Sequence, residues 1–383
     1  MYSKSKIKRR IITAACLLLF GTFVIWLNRV PKVSLVERAG TFYEIGKVTE
    51  IISEEEETAG RENKAGYLQV RVKLLSGKWK GREIEAAAME GYLYGTDCKP
   101  GKKVIVYVST ADGEEVTASV YSAYREPAIL VFIAVFLLVI CLIGGKNGVK
   151  AVAGLGFTFL CIFYMLLPMI YRGWSPILSA VFVSAAATFV TMYLIGGFSK
   201  KTAASLAGTI FGVLTAAFSA CLFGKAAGIS GMNVADVEEL VFVESLVPIR
   251  IGELLFAGIL ISSLGAVMDV AMSVSSAIYE IHDKNPQLTG MELFHSGMNV
   301  GKDMMGTMSN TLVLAFTGGS LSTLILTYAY EKPFHQVMNM YQIGIEIMQG
   351  IAGSLGVVLT VPVSAAVMAW LLTEKKKSNS EVK

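Results

Sequence analysis

One apolar stretch carries an acid. In "SSLGAVMDVAMSVSSAIYE", Ser262 to Glu280, the carboxylate of Asp269 sits among five serines. Gly258, Ser262, Gly265, Asp269, Ser273, Ser276 and Glu280 recur at steps of three and four, so they share one helical face. That face is small and polar, which predicts that Asp269 points into a helix bundle and not at lipid. A following stretch, "GKDMMGTMSNTLVLAFTGGS", places Asp303, Thr307, Asn310 and Thr317 on a similar face. Asp269 lies roughly 22 Å along its helix from Leu254, and Asn310 about 10 Å along the next one. With the two helices antiparallel, Asp269 and Asn310 are expected at comparable depth as partners.

Two chemistries fit such a carboxylate. Ionisable groups inside a bilayer mark ion or proton paths. Alternatively, Asp269 accepts hydrogen bonds from Asn310 or nearby serines and only holds helices together, at about 0.6 kcal/mol per bond. The candidate set for either role is Asp269, Ser273, Asn310, Thr307, Asp303 and Ser262.

Enzymatic alternatives find little. Aspartyl catalysis needs two adjacent carboxylates, and Asp303, the only partner worth naming, falls at the expected membrane surface. "GISG" matches a serine-protease string, but it sits in a loop with no histidine in any span to act as base. No P-loop, H-E-x-x-H or Ser-His-Asp pattern occurs, so no cofactor is implied. His282 and His295 are separated by a proline turn and make no metal motif. The five cysteines have neither disulfide nor zinc spacing, and Glu54–Glu57 reads as a solvated loop without calcium-loop spacing.

The elements that must position these residues are membrane helices. Of the 383 residues 54% are hydrophobic and only 17% charged, with mean hydropathy +0.56; soluble domains carry about a quarter charged residues. A net charge of +4 is too small to argue for nucleic acid. Eight runs approach the roughly 20 residues needed to span a bilayer: Ile11–Leu27, Ala128–Ile143, Ala151–Ile170, Ile177–Ile195, Ala203–Phe223, Leu254–Ser276, Met304–Tyr328 and Ile343–Leu372. The first follows a basic tip and lacks a cleavage site, which favours a retained anchor over a signal peptide. Basic residues at both termini, in "GGKNGVK" and "GGFSKK", and in Glu280–Lys302 alternate onto one side, predicted to be cytoplasmic. Residues 1–29 then form a tip and anchor, 30–126 an outer domain, 127–373 a seven-helix membrane domain and 374–383 a basic tail.

The outer domain reads as five short strands: "GKVTEII", "YLQVRVKLLSG", "REIEAAAM", "KKVIVYVST" and "EEVTASVY". Alternation from Tyr67 to Leu75 marks a strand covered on one face, and Asp112-Gly113 is a hairpin signal. A small barrel of OB or SH3 type is expected. Tyr67, Trp79, Tyr92 and Tyr94 form a binding face for an envelope or protein partner, or simply barrel core and turns.

Three further patterns concern packing. "LIGGKNGVKAVAGLG" from Leu142 and "LIGGFSKKTAASLAG" from Leu194 suggest a parallel repeat, with chance similarity of two basic tips as the competing explanation. Ala204, Gly208, Gly212, Ala216, Ala220 and Gly224 make a small stripe for close helix approach. Thr289 and Glu292 have capping-box spacing before a short surface helix whose Met291, Phe294 and Met298 share a face.

"LGAVMDVAMSVSSAIYEI" followed by "LFHSGMNVGKDMMGTMSNTLVLAFTGG" resembles the signature region of the YibE/F-like integral membrane proteins, and the resemblance spans residues 127 to 372. It implies a bacterial multi-pass membrane protein with an anchor and small outer β-domain, and no reaction. Three function classes follow: a secondary transporter or permease using Asp269; a non-transporting scaffold or sensor acting through the outer domain; and, third, an intramembrane enzyme.

Overall fold

The computed structural model describes residues 20–29, 40–58, 64–90, 96–111 and 115–380. Most of the run Ile11–Leu27, the Asp112-Gly113 turn, Tyr92 and Tyr94 lie outside them. The chain divides into two units, one of Ser34–Val139 and one holding the rest.

The first unit is built on a closed five-stranded barrel: β1 (Thr41–Thr58), β2 (Lys64–Leu74), β3 (Glu83–Glu90), β4 (Lys103–Ala111) and β5 (Glu115–Ala123), in the order β1-β2-β3-β5-β4. All five expected strands are present. Leu68, Val70, Val72 and Leu74 point inward, as the alternation requires, and pack with Val48, Val104, Val106 and Val108. The barrel closes through Gly46, which is paired with Leu74 on one side and Val104 on the other. A Cβ there would run into the side chains of Val72 and Val106, so the crossing tolerates only glycine. Glu54–Glu57 is not a loop. It extends β1 opposite Leu68 to Ala65, because pairing along the full length of β2 outweighs the poor strand propensity of glutamate.

The remaining elements are helical, and the helix that begins at Glu126 runs from the first unit into the second at Ile140. Residues 20–28 form α1. There follow α2 (Glu126–Tyr171), α3 (Pro176–Gly196), α4 (Lys200–Ala227), α5 (Val237–Glu244), α6 (Ile251–Lys284), α7 (Gly290–Gly319), α8 (Leu321–Ala329), α9 (Phe334–Met338) and α10 (Tyr341–Ser380). Among the described residues five helices are long and apolar enough to cross a membrane, and α7 with α8, bent by 61°, makes a sixth. The expected eight differ from this count for two reasons. The first run is only partly described, and the second and third runs form one helical stretch, α2.

That stretch is kinked. Gly145 leaves helical geometry with φ 52°, ψ −131°, and a Cβ on Gly148 would meet the carbonyl of Ile140, about 12 Å away along a straight helix. Gly197, 52 residues later in the second "LIGG", turns the chain with φ 65°, ψ −165°. Both values belong to a region open essentially to glycine alone, so the repeated dipeptide marks the same backbone event twice.

α1 belongs to the bundle: Leu27 is fully buried with Cys161 and Met165. Its Asn28 donates 2.8 Å to the carbonyl of Tyr164 in the π-helical turn Ile162–Leu166. The small stripe of α4 is buried as expected. Gly212 meets Val267 of α6 and the backbone of Gly356 in α10, while Gly224 meets Phe256 of α6. Thr289 and Glu292 make the expected capping box, but no separate surface helix follows; α7 runs on unbroken to Gly319. Its apolar side chains Leu293, Phe294 and Met298 already pack on the core, so nothing stops the helix there.

The basic tips gather at one end. Lys150 donates to the carbonyl of Ile195 at 3.4 Å, Lys200 to that of Leu371, and Lys201 pairs with Glu280 at 2.9 Å. At the opposite end Gly173 lies against Pro248, Gly231 against Ile251 and Gly344 against Ile229.

Candidate functional site

The polar residues of α6 do share a face, and it is turned outward. Gly258, Ser262, Gly265, Asp269 and Glu280 are exposed, and Ser273 and Ser276 are half-buried. A Cβ added at Gly258 or Gly265 would meet nothing within 4 Å. The buried face is the reverse one, with Leu260, Val267, Val274 and Ile278. The expectation that Asp269 points into the bundle is therefore corrected for the described residues. The cause lies in the neighbours. Gly212 and Gly224 of α4 and Gly297 of α7 accept Val267, Phe256 and Ile278, and such close contacts drive helix packing where lipid offers no hydrophobic gain.

α7 follows the same plan. Leu293, Gly297, Gly301 and Leu312 are buried, while Asp303, Gly306, Thr307, Asn310 and Thr317 are exposed. Among the described residues the side chain of Asp269 has no hydrogen bond or ion pair, and that of Asn310 has none either. Thr307 donates only to the carbonyl of Asp303, at 3.1 Å, and Ser262 to that of Ile259, at 3.0 Å.

Shared contacts fix the relative height of the two helices. A Cβ on Gly353 of α10 would lie 3.3 Å from Ser263 and 3.5 Å from Leu312, and Gly297 sits against Ile278. From Ser263 to Ile278 and from Leu312 to Gly297 are equal steps in opposite directions. Asp269 therefore lies level with Gly306 and Thr307, and Asn310 level with Gly265. Asp303 lies about a turn further toward the basic end. The expected pairing of Asp269 with Asn310 is replaced by one helix level holding a carboxylate and a threonine.

Other polar groups were not singled out from sequence. Ser184 and Thr188 of α3 and Thr209 of α4 line one narrow crevice with Val181 and Val213, and their hydroxyls are buried without a partner. Ser275 of α6 and Ser364 of α10 are buried likewise. Their signal is the four-residue spacing of Ser184 and Thr188 on an otherwise apolar helix, which alone does not separate a buried hydroxyl from one bonded to its own backbone.

On the barrel, Trp79 is partly buried and packs edge-on to Phe42, at 5.4 Å between ring centroids. Tyr67 is exposed. A different aromatic group reaches the surface: exposed Tyr43 lies 5.3 Å from half-buried Tyr107 and 5.2 Å from exposed Tyr121. It forms because β1 and β5 flank β4, with Tyr43 opposite Tyr107 in the register, and strand order is not written in local pattern. Asp97 is paired with Lys99 at 2.9 Å, and that bond, with the charge of Lys102, holds its carboxyl below the ordinary value of 3.8. Among the described residues no group of three His, Cys, Asp or Glu side chains could hold a metal ion.

These features define a class: a multi-pass α-helical membrane protein with an N-terminal five-stranded β-barrel. Within that class the chain belongs to the YibE/F-like protein family, whose family model matches residues 132–374. No curated relative and no solved structure matches the chain.

Proposed function

We propose that this protein is a secondary transporter or permease for a small solute or ion, with the polar faces of α6 and α7 lining its path. Asp269 carries the proton or cation, and Thr307, Asn310, Ser262, Ser273 and Asp303 complete the lining. The observation that carries this reading is the unpartnered carboxylate of Asp269 within an apolar span. A charge in that setting needs water or a partner group, and the chain's described residues supply no partner. Gly258, Gly265 and Gly306 leave open space along the same faces, where a Cβ would meet nothing within 4 Å.

The placement that goes with this function has eight crossings, counting α1 with the residues before it and α2 as two spans joined at Gly145. The gathered ends of Lys150, Lys200 and Lys201 face the cytoplasm of a bacterial cell, both termini lie on that side, and the barrel lies outside. Cysteines placed at Gly265 and Thr307, in a chain without its native cysteines, test the path. A charged, membrane-impermeant thiol reagent labels both if they line water; if neither reacts in intact membranes, the proposed path is wrong. In proteoliposomes Asp269→Asn then abolishes coupling of flux to the proton gradient.

A second reading has its own observation. The cluster of exposed Tyr43 and Tyr121 with half-buried Tyr107 suits a protein or envelope partner, since tyrosine supplies rigid amphipathic contact area. The order β1-β2-β3-β5-β4, with β3 and β5 parallel, is the Greek-key arrangement of OB-type barrels, in line with a binding module. In this reading the protein is a non-transporting scaffold or sensor. Tyr43→Ala with Tyr121→Ala would abolish its partner's capture while leaving the helical unit intact.

A further inference from the structure

A cavity of about 330 Å³ opens where α7 breaks from α8, walled by Val313, Thr317, Ser320, Leu324, Glu346 and Ile347 among others. Three features suit it to a hydrogen-bond-donating cation. Glu346, five residues into α10, is half-buried, and among the described residues its side chain has no hydrogen bond or ion pair. Ser320, only 4% exposed, has a hydroxyl without any partner. Thr317, also on the wall, donates its hydroxyl to the carbonyl of Val313 at 2.8 Å, which leaves its oxygen to accept. No lysine, arginine or histidine lines the cavity, and its other walls are mostly aliphatic.

We propose that this cavity binds a small primary alkylammonium ion. The ammonium group has three donors, and the site offers the Glu346 carboxylate and the Ser320 and Thr317 hydroxyl oxygens as acceptors. The alkyl body lies on Val313, Leu324 and Ile347. A calcium or magnesium ion would take six or more oxygen ligands, more than these walls provide. The volume is that of a small-ligand site. A discontinuous membrane helix with an acid beside its break is also a recurrent way to hold a cation at membrane depth. The inference stands independently of any role for Asp269.

Saturation-transfer NMR of the full chain in lipid nanodiscs, with n-butylammonium as probe and empty nanodiscs subtracted, tests it. Saturable transfer is expected, and neutral n-butanol should not compete for it. Glu346→Gln should raise Kd at least about tenfold, the scale of losing a charge-assisted hydrogen bond. Gly350→Leu should also abolish binding by filling the cavity, since a Cβ there already meets Val313 at 3.6 Å. Glu238→Gln, on exposed α5, should leave Kd unchanged. The proposal is overturned if the wild-type chain shows no saturable transfer, if n-butanol competes equally, or if a Glu346→Gln protein with an unchanged size-exclusion profile binds as well as wild type.

Discussion

Asn28 of α1 donates a 2.8 Å hydrogen bond to the carbonyl of Tyr164 in α2. In α-helical register that carbonyl would take the N–H of residue 168, and residue 168 is proline. The π-helical turn Ile162–Leu166 is the local consequence, with the Leu167 N–H reaching back to Ile162. One side chain of the first helix thus serves a group that the proline leaves over. Arg172 adds a 3.2 Å bond to the carbonyl of Leu27 from the other direction.

Asn28→Leu keeps the volume and removes the donor. Unfolding of the full chain in mixed micelles should show a loss of about 0.6–1.7 kcal/mol, the range for interhelical hydrogen bonds in membranes. Unchanged stability would mean that α1 is held by Leu27, its apolar neighbours and Arg172 without help from Asn28.

Gly212 and Gly356 make the reciprocal close approach of α4 and α10: a Cβ on either would lie 2.8 or 2.7 Å from the other's carbonyl oxygen. Thr360 locks the same crossing, donating to the carbonyls of Gly356 at 2.8 Å and Gly208 at 3.2 Å. Gly212→Leu should destabilise by about 3 kcal/mol or prevent folding, because backbone cannot yield as a side chain does. Gly258→Ala and Gly265→Ala, in open space, should stay within about 0.5 kcal/mol of wild type. Denaturant titration of the three variants separates the two classes.

The contrast between Gly212 and Gly265 also marks how far the sequence was legible. Both belong to small stripes at helical spacing, and both stripes were visible from Ala204 to Gly224 and from Gly258 to Glu280. Periodicity defines a face, but not the neighbour that covers it. α4's stripe is buried because α10 presents Gly356 and Thr360 to it. α6's stripe is open because glycines on α4 and α7 take up the reverse face. The five barrel strands were legible because a two-residue alternation is local. The tyrosine cluster was not, since it depends on β1 and β5 flanking β4. The bend after Gly319 was likewise hidden inside an uninterrupted apolar run, although Gly318-Gly319 supplied a weak sign.

Asp97 gives the barrel a defined acid response. Its hydrogen bond with Lys99, then the charge of Lys102, depress its folded-state pKa below 3.8. A depressed carboxylate contributes stability above its unfolded pKa and loses that contribution as pH falls through the folded value. The window therefore lies at and below about pH 4. The pair is exposed, so its worth is only a few tenths of a kcal/mol. Carboxyl-carbon NMR should place the Asp97 midpoint below 3.8 and return it toward that value in Lys99→Ala. A midpoint above 3.8 in the wild-type chain would refute the assignment.

The sharpest test of the membrane site uses the level shared by Asp269 and Thr307. If the outward faces of α6 and α7 meet water, reactivity of introduced cysteines follows the face and not the depth. Ser262→Cys, Gly265→Cys, Thr307→Cys and Asn310→Cys should react with a charged thiol reagent. Val267→Cys and Gly301→Cys, at similar heights but on the packed faces, should not. Asp269 is then what keeps this stretch wet, because replacing a charge by an aliphatic group removes the strongest attraction for water there. Asp269→Leu should slow labelling at Gly265→Cys by about tenfold, corresponding to roughly 1.4 kcal/mol. Labelling of Gly258→Cys, about three turns away, should be unchanged. Equal labelling at Gly265→Cys with and without the carboxylate would remove Asp269 from the path, and labelling confined to depth whatever the face would remove the path itself.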